Sequence, residues 1–165
     1  MKTALNVPFV PTSGTDREAI PKSIQRIVDK NATNGEPFFV IDLGSVYRKH
    51  KQWLRMLPRA KPFYAVKCCN EPKILEALVS LGTNFDCASR GEIEQVMKLG
   101  VEPSRIIFAN PAKSVPHIRF AREVGVDLMT FDNEIELLKI KEHHPDARMI
   151  LRILADDPTA VCNVS

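Results

Sequence analysis

The stretch "PFYAVKCCNEPKILEALVSLGTNFDCAS", residues 62–89, decides the fold. A short apolar, aromatic and β-branched run, "FYAVKC", is followed by "PKILEALVSLG", where apolar residues recur at helical spacing between a proline start and a glycine stop. A second short run, "NFDCAS", comes next. The pattern predicts a strand, a helix and another strand. It then repeats: "IIFANP", "LMTFD" and "MILRI" read as further strands, with "GEIEQVMKLG", "SVPHIRFAREVG" and "NEIELLKIKEHH" as the helices between them. Strands joined by helical crossovers run parallel, so the expected fold class is α/β, a parallel sheet covered by helices.

Two architectures satisfy this order. Five strands make a complete open, doubly wound sheet, or they are the first five units of a (β/α)8 barrel. The absence of a glycine-rich phosphate loop after the first strand favours the partial barrel. So does the position of Ser165, reached soon after "MILRI" with no fifth helix between. In either architecture the C-terminal ends of the strands carry the chemistry. Polar residues gather there: Lys67, Asp86 and Ser89, Asn110, Asp132 and Arg152.

Upstream, residues 1–35 read as an arm containing the amphipathic "PKSIQRIVDK". Residues 36–59 read as a strand, "FFVIDL", and a helix from Ser45 that leads into the barrel segment, 60–165. The 165 residues are 44% apolar and 26% charged, the composition of an ordinary globular protein rather than a disordered one. A formal charge of +3 gives no case for nucleic acid, and the basic run "RKHKQWLR" at 48–55 has the spacing of a solvated helix face. Cys68, Cys69, Cys87 and Cys162 form neither a C-x-x-C pair nor a zinc pattern, which fits reduced thiols in the cytoplasm and no metal site. No run is long and apolar enough to span a membrane. Cys87 reads as a small buried thiol, Ser89 as a helix start, and His143 and His144 as a helix end.

Lys67 is the residue to explain. At the end of an apolar strand it is expected to be buried, and an ammonium in such a place is costly unless it has a partner or a task. An apolar pocket favours the neutral amine, whose lone pair attacks a carbonyl to form a Schiff base. A lysine snorkelling from a strand end, or held in a rim ion pair, satisfies the same pattern. Composition leaves both readings open.

The segments "PFYAVKCCNEPKILEALVSLGTNFDCASRGEIEQV", "RIIFANPAKSVPHIRFAREVGVDLMTFDNEIELLKI" and "LRILADDPTAVC" resemble the first part of the barrel of eukaryotic ornithine decarboxylases, which are fold-type III pyridoxal-phosphate decarboxylases. The resemblance runs from about residue 36 to the end and centres on "YAVKC". It implies that Lys67 forms the Schiff base with pyridoxal 5'-phosphate and that Ala65 lines the cofactor. Asp86 and Glu92 match the acidic residues behind the cofactor, and Arg152 the arginine near its ring side. It further implies that "FFVIDL" joins a β-rich C-terminal domain. The implied activity is conversion of L-ornithine to putrescine and carbon dioxide in polyamine biosynthesis, by a homodimer subject to an antizyme-type regulator. The noncatalytic antizyme inhibitors of this family depart at several cofactor positions, including that aspartate. Asp86 and Arg152 are present here, which favours an enzyme over an inhibitor-like binding protein. Cys69 stands where related sequences usually have asparagine. In the resembling enzymes the remaining site groups follow later in the chain or come from the other subunit, so this chain alone is expected to be inactive. A flavodoxin-like binding domain, indifferent to pyridoxal phosphate, is the third reading.

Overall fold

The structure, a computed structural model, describes residues 19–31, 35 and 37–154. It divides into two units, residues 1–42 and 43–165. In the first, helix α1 spans Ala19–Asn31, with Ile24 and Ile27 half-buried on one face and Gln25 Nε2 donating to Asp29 Oδ1 at 2.8 Å. Over "FFVIDL" no strand forms among the described residues, where the β-rich sheet that the resemblance implies for it has no counterpart. Residues 37–42 have no regular structure, Phe39 is 97% exposed, and Leu43 already opens a helix. A strand exists through backbone pairing with a neighbour, and among the described residues no segment pairs with this one.

The second unit holds the βα array. Helix α2 (Leu43–Met56) starts at Leu43 rather than Ser45 and lies against α3 (Pro72–Ser80). Its buried His50 meets Thr83 on the turn after α3, with Nδ1 and Oγ1 3.0 Å apart. Five strands follow: β1 (Phe63–Ala65), β2 (Asn84–Cys87), β3 (Ile106–Phe108), β4 (Leu128–Phe131) and β5 (Arg148–Leu151). Between them run α3, α4 (Arg90–Met97), α5 (Val115–Glu123) and α6 (Glu134–His143). Each strand is shorter than its apolar run suggests, although the backbone bonds continue briefly past it. Ala109 N donates to Cys87 O at 2.8 Å, and Arg152 N to Phe131 O at 2.7 Å.

All pairings are parallel and the strands lie in the order β1-β2-β3-β4-β5. A doubly wound sheet reverses direction at a switch point, which makes some neighbours non-consecutive. Here every neighbour is consecutive. Right-handed crossovers in one direction put the helices on one face, and the fold is that of the first five units of a (β/α)8 barrel.

Alternation along the strands separates the two faces. Phe85, Cys87, Ile106, Phe108 and Met129 are fully buried and form the core with Leu75, Ile93, Val96 and Ile118 from the helices. On the opposite face, register aligns Ala65 with Asp86, Asp86 with Ile107, Ile107 with Leu128, and Leu128 with Arg148. These residues are only partly covered or exposed. Gly82 and Gly125 turn the chain from helix to strand at φ of +77° and +79°, where a Cβ is disfavoured.

Phe108 contributes a whole ring to this core. Phe108→Ala is expected to lower unfolding stability by about 3–5 kcal/mol, measured by urea denaturation, through lost burial and the cavity left behind.

Candidate cofactor site

Lys67 does not lie on a strand. Pairing of β1 with β2 stops at Ala65 opposite Asp86, and the chain curls into one 3-10 turn, Val66–Cys68. Val66 goes fully into the core, which turns Lys67 outward. Of the two placements that the sequence leaves open, the structure has the lysine exposed at the rim. Tyr64 Oη donates to Cys69 O at 3.0 Å and pins the turn from below. Burial, with the neighbouring Cys68 and Cys69, pushes the Tyr64 hydroxyl pKa upward.

Asp86 points to the uncovered face, between the buried Phe85 and Cys87. Burial raises its pKa, the Lys67 ammonium pulls it back, and Glu92 raises it further, for a net upward shift. Its Oδ1 is buried and has no hydrogen-bond partner among the described residues. Glu92 is placed by the start of α4. Ser89 caps the helix, its Oγ accepting from Glu92 N at 3.2 Å, and Glu92 Oε2 accepts from Ala88 N at 2.6 Å. Ala65, Lys67, Asp86 and Glu92 thus share the β1–β2 end of the rim.

Arg152 is held elsewhere. It follows β5, and its Nη2 donates to Asp132 Oδ2 at 2.6 Å beside a shallow cavity of about 220 Å³ lined by Ile153 and Leu154. Three strand spacings separate β2 from β5, ~14 Å along the sheet. A bound group, rather than a direct contact, would have to span them.

A buried lysine does exist in this chain, and it is Lys113. Its side chain is fully buried between β3, β4 and α6, and its Nζ donates to Asn110 O at 2.8 Å, Thr130 O at 2.6 Å and Glu136 Oε1 at 2.9 Å. The Lys113 N–H donates to the same carboxylate at 3.0 Å, and Lys139 Nζ approaches Glu136 Oε2 at 2.5 Å. Burial lowers the Lys113 pKa, opposed by the Glu136 carboxylate. For Glu136, burial acts upward, but hydrogen bonds from Lys139 and Lys113 outweigh it and the net direction is down. Sequence reasoning missed this pair. The available signal was Glu136 three residues after Asn133, whose Oδ1 caps α6 by accepting from Glu136 N at 2.8 Å.

The remaining candidates fall into place. Cys87 is fully buried and its thiol is pushed up to about 12, chiefly by burial. His143 ends α6, and His144 is buried with Nε2 3.2 Å from Asp127 Oδ1. Cys162 lies outside the described residues. No described helix is long and apolar enough to cross a membrane.

The site fits a group that bears a carbonyl for an amine and a cationic or protonated partner for a carboxylate. Lys67 supplies an accessible amine, and the unpartnered Asp86 Oδ1 supplies the acceptor. The array is wound in sequence like a barrel, with a lysine just past β1, an aspartate near the end of β2 and a glutamate in the first turn of α4. The comparisons give it a family. Residues 43–165 match the model described as "Pyridoxal-dependent decarboxylase, pyridoxal binding domain". An ornithine decarboxylase from Schizosaccharomyces pombe is 48% identical over 160 residues, covering 92% of this chain and 37% of that protein. Antizyme inhibitor 2 of Xenopus laevis is 49% identical over 148 residues, covering 90% and 31%. The crystal structure of an arginine decarboxylase from Paramecium bursaria Chlorella virus superposes with a TM-score of 0.80 at 42% identity, over 84% of this chain and 37% of that one. This chain belongs to the pyridoxal-dependent decarboxylase family and carries its pyridoxal-binding domain. It spans about a third of the length of these relatives.

The cysteines give a direct test of the packing. With its pKa raised, the Cys87 thiol stays protonated at pH 8, whereas Cys68 and Cys69 stand in solvent. Iodoacetamide at pH 8 is expected to alkylate Cys68 and Cys69 and leave Cys87 unmodified until the fold is denatured, as read by peptide mass mapping.

Proposed function

We propose that the complete protein is a pyridoxal-phosphate-dependent amino-acid decarboxylase that converts L-ornithine to putrescine and carbon dioxide. The observation that carries this reading is Lys67, set on its own exposed turn at the rim beside Asp86, in a chain of the pyridoxal-binding family. Bound pyridoxal phosphate supplies an electron sink for the pair left behind when the α-carboxylate departs. The residues of this chain hold and orient. Lys67 presents the amine that secures the cofactor's aldehyde carbon, and small Ala65 leaves room beside it. Asp86 faces the same space with an acceptor oxygen, and Glu92, fixed on Ala88 N, keeps a second negative group behind it. Arg152 offers a guanidinium from the far side of the rim, where Asp132 holds it, and would meet an anionic group of the cofactor there.

Similarity to the ornithine enzyme of Schizosaccharomyces pombe supports the substrate. No residue described here reads the substrate side chain. We place the protein in the cytoplasm as a homodimer open to an antizyme-type regulator, from its unpaired thiols and its likeness to an antizyme inhibitor. That likeness also supports a second reading, a noncatalytic binding protein. The presence of both Asp86 and Arg152 favours the enzyme.

Borohydride reduction of the complete protein with pyridoxal phosphate is expected to place the label on Lys67. Lys67→Ala should lower carbon dioxide release from L-ornithine by about 10³-fold or more. Turnover should be faster with L-ornithine than with L-lysine, L-arginine or diaminopimelate. Label on Lys61 or Lys73 with Lys67 unmodified overturns the site, and faster turnover of another substrate overturns the ornithine assignment alone. Labelled Lys67 without turnover of any of the four selects the binding protein.

A further inference from the structure

We propose that Lys113 is a positioning residue for the cofactor rim: paired with Glu136 it fixes the ends of β3 and β4, and Asn110 passes that placement to Ala88 in the β2–α4 loop, which holds the Glu92 side chain of α4 beside Asp86. The proposal rests on the cofactor reading above and deepens it.

Stability does not account for this pair. Burying both charges costs several kcal/mol per ion, and apolar residues of the same volume often hold a core as well or better. An apolar core has no direction, however, and this ammonium does. Its three N–H bonds go to the Asn110 carbonyl past β3, the Thr130 carbonyl in β4 and the Glu136 carboxylate at the start of α6. Two strand ends and a helix start are thereby drawn onto one atom. With no exposed surface, Lys113 cannot touch substrate or cofactor and must act through its neighbours.

The path to the site is continuous. The Asn110 backbone is held by Lys113, and its side chain is aimed by accepting from Ala112 N at 3.0 Å. That leaves Asn110 Nδ2 donating to Ala88 O at 3.3 Å. Ala88 N in turn donates to Glu92 Oε2 at 2.6 Å. Both polar groups of Ala88, two residues past Asp86, are thus clamped. Asp86 is faced by Lys67 from the turn after β1, by Glu92 from α4, and by apolar Ile107 in register on β3. Moving Glu92 therefore changes the field on Asp86.

The test uses the double variant Lys113→Met with Glu136→Met, which removes the charges together, and Asn110→Ala, which leaves the ion pair intact and cuts only the link to Ala88. Three quantities are read on the complete protein: the unfolding midpoint, the affinity for pyridoxal phosphate with borohydride labelling of Lys67, and the NMR titration of the Asp86 carboxyl. Expected is a near-native midpoint in both variants, about tenfold weaker cofactor binding, and an Asp86 titration moved downward as Glu92 withdraws. A folded variant of either kind with native affinity and native Asp86 titration overturns the proposal. If the double variant does not fold, Asn110→Ala decides by the same criteria. If Lys67 of the unaltered protein takes no label, the cofactor reading fails, while the Asp86 titration still tests the positioning.

Discussion

Parallel pairing in sequence order is the constraint on which everything else rests. A strand that pairs in parallel with its predecessor must be reached by carrying the chain back along the sheet, and a helix is the economical way to do so. Repeated in one rotational direction, this puts every helix on one face and every strand-to-helix loop at one end. The layer between sheet and helices takes one apolar face of each strand, supplied by Phe85, Cys87, Ile106, Phe108 and Met129. The other face, which lines the interior when a barrel closes, carries Ala65 and Asp86 side by side with Ile107 and Leu128, a placement that follows from register alone.

That economy leaves the loop end weakly specified. The strands are only three or four residues long, so few ladder bonds fix where their ends lie relative to one another. Local devices compensate. Tyr64 ties the turn bearing Lys67, the Ser89 and Glu92 side chains order the start of α4, and Lys113 with Glu136 joins β3, β4 and α6. Each satisfies backbone groups that would otherwise be stranded where a strand stops. The candidate site is built out of these terminations rather than out of the sheet.

The alternation of elements was legible because it depends on period, and period survives in the local sequence. The choice between two windings was legible only indirectly, through the missing phosphate loop, since strand order is a long-range property. "FFVIDL" has the composition of a strand but no described neighbour, and pairing overrides composition. The exposure of Lys67 was left open by the sequence because the apolar run continues through Val66 while the strand ends at Ala65, and one residue of helical turn reverses which side chain faces inward. Lys113 was invisible for another reason: it falls between the runs "IIFANP" and "SVPHIRFAREVG", and its carboxylate partner, Glu136, is 23 residues further on, in the helix after β4. The separation of Arg152 from Asp86 depends on strand order and was equally out of reach.

The buried pair also shapes how this domain can change over time. Replacing Glu136 alone leaves the Lys113 ammonium without its carboxylate in the interior, at a cost of about 3–5 kcal/mol, comparable to the whole stability margin of a marginal domain, whereas replacing Lys113 alone leaves Glu136 its pair with Lys139. Replacing both is nearly neutral for folding. The two orders of replacement are therefore unequal: losing Glu136 first strands a buried ammonium, and losing Lys113 first does not strand the carboxylate. Descendants of this chain should keep Glu136 for as long as they keep Lys113.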